Sequence, residues 1–267
     1  MKYIKGVWNT GRLMPPEQPS SQAVLVARRI LGGAERVTVL TGAGISTDSG
    51  IPDFRGPQGV WTKNPKAERT STLSHYLRDS EVRREAWQNR LNSPAWTARP
   101  NQGHLALVEL ERQGRLVAIA TQNIDELHQH AGHSPEKVLE LHGTMRRVKC
   151  WECGDEGPME QTLERVRAGE PDPFCLRCGG ILKSATISFG QALDPDVMAR
   201  AEAAARACDV LLAVGSSLGV YPAAGLVPLA QSAGAGLIIV NAEPTPYDPL
   251  ADAVVHDSIS EVLPQIV

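Results

Sequence analysis

The chain has 267 residues, is 42% hydrophobic and carries a formal net charge of −3 at pH 7. That is enough chain to bury a large core, as one big domain or a main domain with a smaller insert. The near-neutral balance gives no sign of a strong field for nucleic acid or membrane. No apolar run reaches the roughly 20 residues a bilayer span needs.

In chain order, the N-terminal stretch 1–22 contains Pro15, Pro16 and Pro19, lacks the continuous apolar segment of a signal peptide, and reads as an extended arm. "SQAVLVARRILGGAE" has helical periodicity and stops at a Gly-Gly pair. "RVTVLTGAG" reads as a buried strand entering a glycine turn, the strand–loop–helix entry of a Rossmann-like sheet. Residues 57–100 read as a polar insert of short helices, and Asn101 to Arg115 as an amphipathic helix. "LVAIATQNID" and "KVLELHG" are further strands, and a cysteine-bearing segment at 149–182 then interrupts the pattern. The alternation is expected to resume with "ATISFG", the helix "DPDVMARAEAAARAC", the strand "DVLLAVGSS", a helix near "AAGLVPLAQSAG" and the strand "GLIIVNAEP". Strands alternating with helices predict an α/β fold: a Rossmann-like parallel sheet with helices on both faces, formed by 23–148 and 183–267. A small zinc-ribbon domain and the helical insert are added to it.

Polar residues gather where the strands end, at Gly42–Asp53, Gln122–Asp125, Gly215–Ser217 and Asn241–Glu243. Ligands of open parallel sheets bind outside the carboxyl ends of the strands, so these four loops predict one nucleotide site. Gly42 and Gly44 fit the first two glycines of a dinucleotide fingerprint, but Thr47 stands at the third. Cys150/Cys153 and Cys175/Cys178 form two C-x₂-C pairs separated by 21 residues, close to the roughly 15–20 of a zinc ribbon. Four thiolates close a tetrahedral shell and leave no position for water, so the metal is expected to be structural. Gly154, Gly179 and Gly180 permit the turns behind each knuckle; two redox cysteine pairs or simple buried cysteines are the competing readings. Cys208 stands alone and reads as a small buried side chain.

Together, "GAGISTDSGIPDFRG", "TQNIDELH", "LHG", the cysteine pairs, "FG", "VGSSLGVYPAAGL" and "NAEPTPYD" resemble the sirtuin family of NAD-dependent protein deacylases, over about Ala23 to Val267. The resemblance implies NAD as co-substrate and one structural Zn²⁺. Gly42, Ala43, Gly44 and Ser46 would line the pyrophosphate side. Asp53 would grip the nicotinamide carboxamide in a pocket reached through Ile51 and Pro52, Phe54 would cover the reacting carbon, and Arg55 would sit near ribose and phosphates. Gln122, Asn123, Ile124 and Asp125 would form the wall at the nicotinamide ribose. Gly215, Ser216, Ser217, Asn241, Ala242, Glu243 and Ile259 would hold the adenosine half. His142 would be the general base, because an imidazole titrates near neutrality; from the residues alone, His104 and His128 are rivals. The implied reaction has the acyl-lysine oxygen attack C1′ of the ribose as nicotinamide leaves. His142 then deprotonates a ribose hydroxyl, and the acyl group ends on ADP-ribose. The acyl-lysine protein or peptide would bind as an added strand between Phe189-Gly190-Gln191 and Gly219-Val220-Tyr221.

Gln191 replaces the glutamate of many relatives, and "GGILKSATISFG" lacks the Pro-Asp or Pro-His often found there, which with "FRGPQGVWT" resembles the class IV branch. "PQGVWTKNP" lacks the Tyr and Arg of desuccinylases, so no preference for acidic acyl groups is expected. Mono-ADP-ribosylation from the same NAD site is the alternative activity. An NAD-dependent oxidoreductase and a non-catalytic zinc and NAD interaction module are weaker readings. The expected location is cytoplasmic, with no nucleic-acid or membrane partner; the sequence does not fix the oligomeric state.

Overall fold

A computed structural model of the chain describes residues 19–57 and 59–267, so residues 1–18 of the expected arm lie outside the described residues. The elements in order are α1 (Pro19–Gly32), β1 (Val37–Thr41), α2 (Val60–Lys63), α3 (Leu73–Arg78), α4 (Ser80–Leu91), α5 (Gln102–Arg112), β2 (Leu116–Thr121), α6 (Leu127–Ala131), β3 (Val138–Glu140) and β4 (Gly143–Cys150). They continue with β5 (Glu156–Pro158), α7 (Met159–Arg167), β6 (Leu182–Thr186), α8 (Pro195–Ala207), β7 (Val210–Val214), α9 (Leu226–Ser232), β8 (Gly236–Val240), β9 (Ala253–Val255) and α10 (Ile259–Ile266). Among the described residues no helix is long and apolar enough to cross a membrane.

The main sheet has six strands in the order β3-β2-β1-β7-β8-β9, all parallel. Both faces of its central strands are covered: β1 and β7 are buried at every residue, β7 as a continuous apolar run and β1 with Thr38 and Thr41 among its valines and leucine. One face packs against α1, α5 and α10 through Leu31, Leu107, Leu110 and Leu263. The other packs against α8 and α9 through Ala201, Ala205, Leu226 and Ala230. The alanines on α8 let that helix lie close to the sheet.

The smaller sheet corrects one expectation. Leu182–Thr186 does not resume the parallel pattern: it pairs antiparallel with β4 in a three-stranded sheet of order β5-β4-β6. Apolar periodicity identifies a strand but not the sheet it joins. This sheet takes in residues on both sides of 149–182. Its core of Val148, Met159, Leu163, Val166 and Leu182 is capped by Trp87 from α4, which is fully buried. The helical insert is tied to it elsewhere as well. The Tyr76 hydroxyl donates to Leu182 O at 2.7 Å, and Arg83 pairs with Asp172 at 2.8 Å with both side chains 9% exposed. Phe189 N–H donates to Ser71 O and Leu73 N–H to Phe189 O, at 2.8 and 3.0 Å.

Candidate NAD and acyl-transfer site

The carboxyl ends of β1, β2, β3, β7 and β8 open on one side of the sheet, which brings the predicted loops together. After β1 the chain enters not a plain α-helix but a 3₁₀ helix, Ala43–Ser49, closed by Gly50 in the left-handed region at φ 85°. Here Gly42 and Gly44 meet the loop after β7. A Cβ on Gly42 would lie 2.7 Å from Gly215 O, and one on Gly44 would lie 2.7 Å from Gly215 Cα. Gly215 itself has φ +61°. These glycines let two strand-end loops cross in contact, a demand the phosphate reading alone did not contain.

The wall after β2 is a hydrogen-bonded unit. Asn123 Nδ2 donates to Ser46 Oγ at 3.2 Å, and Ser46 Oγ donates to Asp125 Oδ2 at 2.8 Å. The other Asp125 oxygen accepts from Leu127 N–H at 3.0 Å. Burial pushes the Asp125 carboxyl up, while the hydrogen bonds from Leu127 and Ser46 oppose that shift. Gln122 Nε2 donates to Ser216 Oγ at 2.9 Å, joining the β2 and β7 loops. Ile124, half-buried, gives its carbonyl to Met145 N–H at 3.0 Å.

His142 follows β3 and is half-buried beside this wall. Its Nδ1 lies 2.9 Å from Gln122 O. A carbonyl only accepts, so Nδ1 carries the proton and the neutral ring keeps Nε2 bare, the form a general base requires. Burial pulls the imidazole down, and the bond to Gln122 O partly counters it.

The two rival histidines are placed differently. His104 is 0% and His128 1% exposed, with ring centroids 5.1 Å apart, and His133 lies 5.9 Å beyond His128. Burial lowers all three, His104 to about 4. His128 Nε2 meets Thr41 Oγ1 at 3.0 Å, and Thr41 donates to Thr121 Oγ1, which accepts from Asn123 N–H. The cluster props up the wall from beneath, a role that single histidines in a sequence do not announce.

The remaining predicted residues are less closely joined to that network. Asp53 Oδ1 accepts from Gly56 N–H at 3.1 Å. Phe54 packs on Trp61 at 4.7 Å, and the Arg55 guanidinium lies 4.7 Å over the same indole. Ile51 is half-buried and donates its N–H to Ser46 O. Asn241 is buried and ties its side chain to Glu243 O at 2.6 Å, while Ala242 and Glu243 are exposed. His256, which sequence reasoning missed, stands behind this loop with Nδ1 2.7 Å from Asn241 O. Ile259 lies in the core between α5 and α10. Ser217, Tyr221 and Phe189 are exposed, and the Tyr221 hydroxyl meets that of Tyr247 at 2.8 Å.

Cys150, Cys153, Cys175 and Cys178 place their sulfurs within 4.8 Å of one another, at 3.5 Å for Cys150–Cys178 and 3.8 Å for Cys153–Cys175. Four sulfurs each about 2.3 Å from one zinc ion lie about 3.8 Å apart, whereas a disulfide would hold them at about 2.05 Å. The donor set therefore fits a closed tetrahedral zinc site. Backbone N–H groups of Cys153 and Gly180 point at Cys150 and Cys178 sulfurs, as a thiolate cluster needs. Cys208 is buried, as expected, with its thiol donating to Ala205 O.

Residues 42–222 match the Sir2 family. The chain belongs to that family. It is 53% identical over 234 residues to NAD-dependent protein deacetylase 2 of Streptomyces coelicolor, covering 88% of this chain and 97% of that one. It is 42% identical to NAD-dependent protein deacylase 2 of Archaeoglobus fulgidus, covering 90% and 93%. A solved Sir2 enzyme superimposes with a TM-score of 0.85 at 41% identity, covering 92% of this chain and 97% of the other. A Sir2 histidine-to-alanine variant with a deacetylated p53 peptide and 3′-O-acetyl-ADP-ribose matches at TM-score 0.83 and 32% identity, covering 90% and 95%.

Proposed function

We propose that the chain is an NAD-dependent protein-lysine deacylase that releases nicotinamide and passes the acyl group to ADP-ribose. The observation that carries this is the fixed His142 imidazole, with Nδ1 held by Gln122 O and Nε2 free, beside the Asn123–Ser46–Asp125 unit. Family members named as deacetylases and deacylases support it. NAD supplies a ribose carbon that becomes electrophilic as nicotinamide departs. Asn123 and Asp125 hold the wall at that ribose, with Gln122 fixing its distance from the β7 loop. Asp53, reached past Ile51, accepts from the carboxamide, Phe54 screens the reacting carbon, and Arg55 swings from Trp61 toward phosphate. Gly42, Ala43 and Gly44 admit the pyrophosphate. Gly215, Ser216, Ser217, Asn241, Ala242, Glu243 and Ile259 form the adenosine side, where Glu243 accepts from ribose hydroxyls. His142 Nε2 takes the proton of the attacking ribose hydroxyl. The four cysteines hold zinc outside the chemistry, as a clamp on the small core. The compartment that fits this chemistry is the cytoplasm.

The acyl-lysine peptide enters as a strand between Phe189-Gly190-Gln191 and Gly219-Val220-Tyr221. Phe189 already gives both backbone groups to Ser71 and Leu73, and Gln191 N–H donates to Ser188 O. The peptide edge is thus offered by Gly190 on one side and Gly219 on the other. A panel of acyl-lysine peptides incubated with NAD, followed by mass spectrometry, tests the proposal. Loss of the acyl group with matching O-acyl-ADP-ribose is expected, and His142→Ala should remove it. ADP-ribose found covalently on protein, with the acyl peptide intact, would replace deacylation by ADP-ribosyl transfer.

A further inference from the structure

Beside Gly190 lies a groove of about 400 Å³ lined by Thr72, Leu73, Ser74, Leu77, Arg78, Phe189 and Gly190. Its location depends on the pairing of Phe189 with the insert, which turns the start of α3 against the 189–190 loop. Gly190 sits at φ +84°, and a Cβ built there would meet nothing within 4 Å, so the space over this residue is open. The walls are apolar at Leu73, Leu77 and Phe189, and the polar lining offers only hydroxyls and one guanidinium. No carboxylate is among the lining residues. Arg78 is exposed at the rim. The acid next to it in the chain, Asp79, is committed elsewhere: it pairs with Arg69 at 3.4 Å and accepts from Glu81 N–H at 2.9 Å as the cap of α4. Among the described residues Arg78 has no ion-pair partner, so its charge is available to a ligand.

The geometry points to a subsite in which Arg78 receives the carboxylate of an acidic residue flanking the acyl-lysine, its aliphatic stem resting on Leu73, Leu77 and Phe189. This inference rests on the deacylase reading for its ligand and adds to it a class of substrate: acyl-lysine segments carrying glutamate close to the modified lysine. Neighbouring side chains of an extended peptide point to opposite faces. Only alternate flanking positions can therefore reach the groove, which makes the preference specific to position.

The test is a set of acetyl-lysine peptides with Glu, Gln or Lys placed in turn at each near position on either side. Two readouts are taken: kcat/KM with NAD, and equilibrium binding of labelled peptides by fluorescence anisotropy. At one position Glu should exceed Lys by up to about five-fold, the upper range for an exposed ion pair, and salt should shrink the ratio. Arg78→Glu should reverse the ratio and Arg78→Ala should erase it. Equal binding of Glu and Lys peptides at every position overturns the subsite, as does a Glu preference that survives in Arg78→Glu. Failure of the deacylase reading looks different: no peptide is turned over. The binding ratio still decides the subsite in that case.

Discussion

The buried histidines make acid sensitivity of the fold a quantitative matter. His104 is fully buried and its imidazole is pulled down to about 4 from 6.5, chiefly by desolvation. Between those values the unfolded chain binds a proton that the folded chain refuses, so stability is intact above the unfolded pKa and falls as the pH drops below it. At about 1.4 kcal/mol per pH unit, going from pH 7 to pH 5 should remove about 2 kcal/mol through this one residue. That is a large part of a typical 5–15 kcal/mol. Glu140 acts in the opposite sense. Burial raises it to about 7, so the folded state gains a proton over the same range. The raw pH dependence therefore mixes these two groups with His128 and His133, whose imidazoles burial also lowers. His104→Gln removes the His104 contribution, because glutamine stays neutral and leaves Glu140 untouched. It also suits the N3 position, where His104 completes a capping box with Asn101. Urea unfolding of both proteins at pH 7 and at pH 5 supplies the measurement. The wild type should lose about 2 kcal/mol more than the variant between the two pH values. Equal losses would refute the assignment of a buried neutral imidazole.

The lowered pKa of His142 keeps its base form populated under mild acid, so the acid limb of kcat/KM for deacylation should fall below pH 6.5; a limb at or above that value contradicts the placement. His142→Ala should cost on the order of 10²–10⁴ in rate while leaving the NAD-induced rise in Tm intact, as calorimetry would show. Gly44→Ala places a methyl 2.7 Å from Gly215 Cα, backbone against backbone. It should destabilise by about 1–3 kcal/mol and weaken NAD binding, read by thermal unfolding and titration. Cys150→Ser should abolish stoichiometric zinc by elemental analysis and expose Trp87, which caps the same core, as a red shift in tryptophan emission.

How far the sequence carried depends on the kind of signal. β2, β7 and β8 are largely apolar runs and β1 mixes valine and leucine with buried threonines, a pattern that burial on both faces gives directly. β9 escaped because three residues, Ala253–Val255, are too few to show a period; α10 escaped because Pro264 sits within eight residues. The partner of Leu182–Thr186 was unreadable because antiparallel pairing with β4 depends on where the cysteine knuckles return the chain. At the site, His142 and the Asn123–Asp125 wall were legible through family motifs. The contact that fixes the His142 tautomer was not, because it comes from a backbone carbonyl. Trp61 falls in the 57–100 insert and drew no expectation of its own, although Phe54, Arg55 and Phe189 all gather on its ring.

The ties between the helical insert and the cysteine-bearing sheet set what can be exchanged between relatives. Trp87 supplies the lid of a core whose floor is coded some 60 residues later, Arg83 and Asp172 answer one another across it, and Ser71 and Leu73 hold Phe189 in place. A chimera that transplants only the segment around Cys150–Cys178 receives half of an interlocked pair. It leaves Arg83 without its carboxylate and Trp87 facing foreign packing. Residues 57–100 and 143–190 form one heritable unit written in two places, and grafts should move them together.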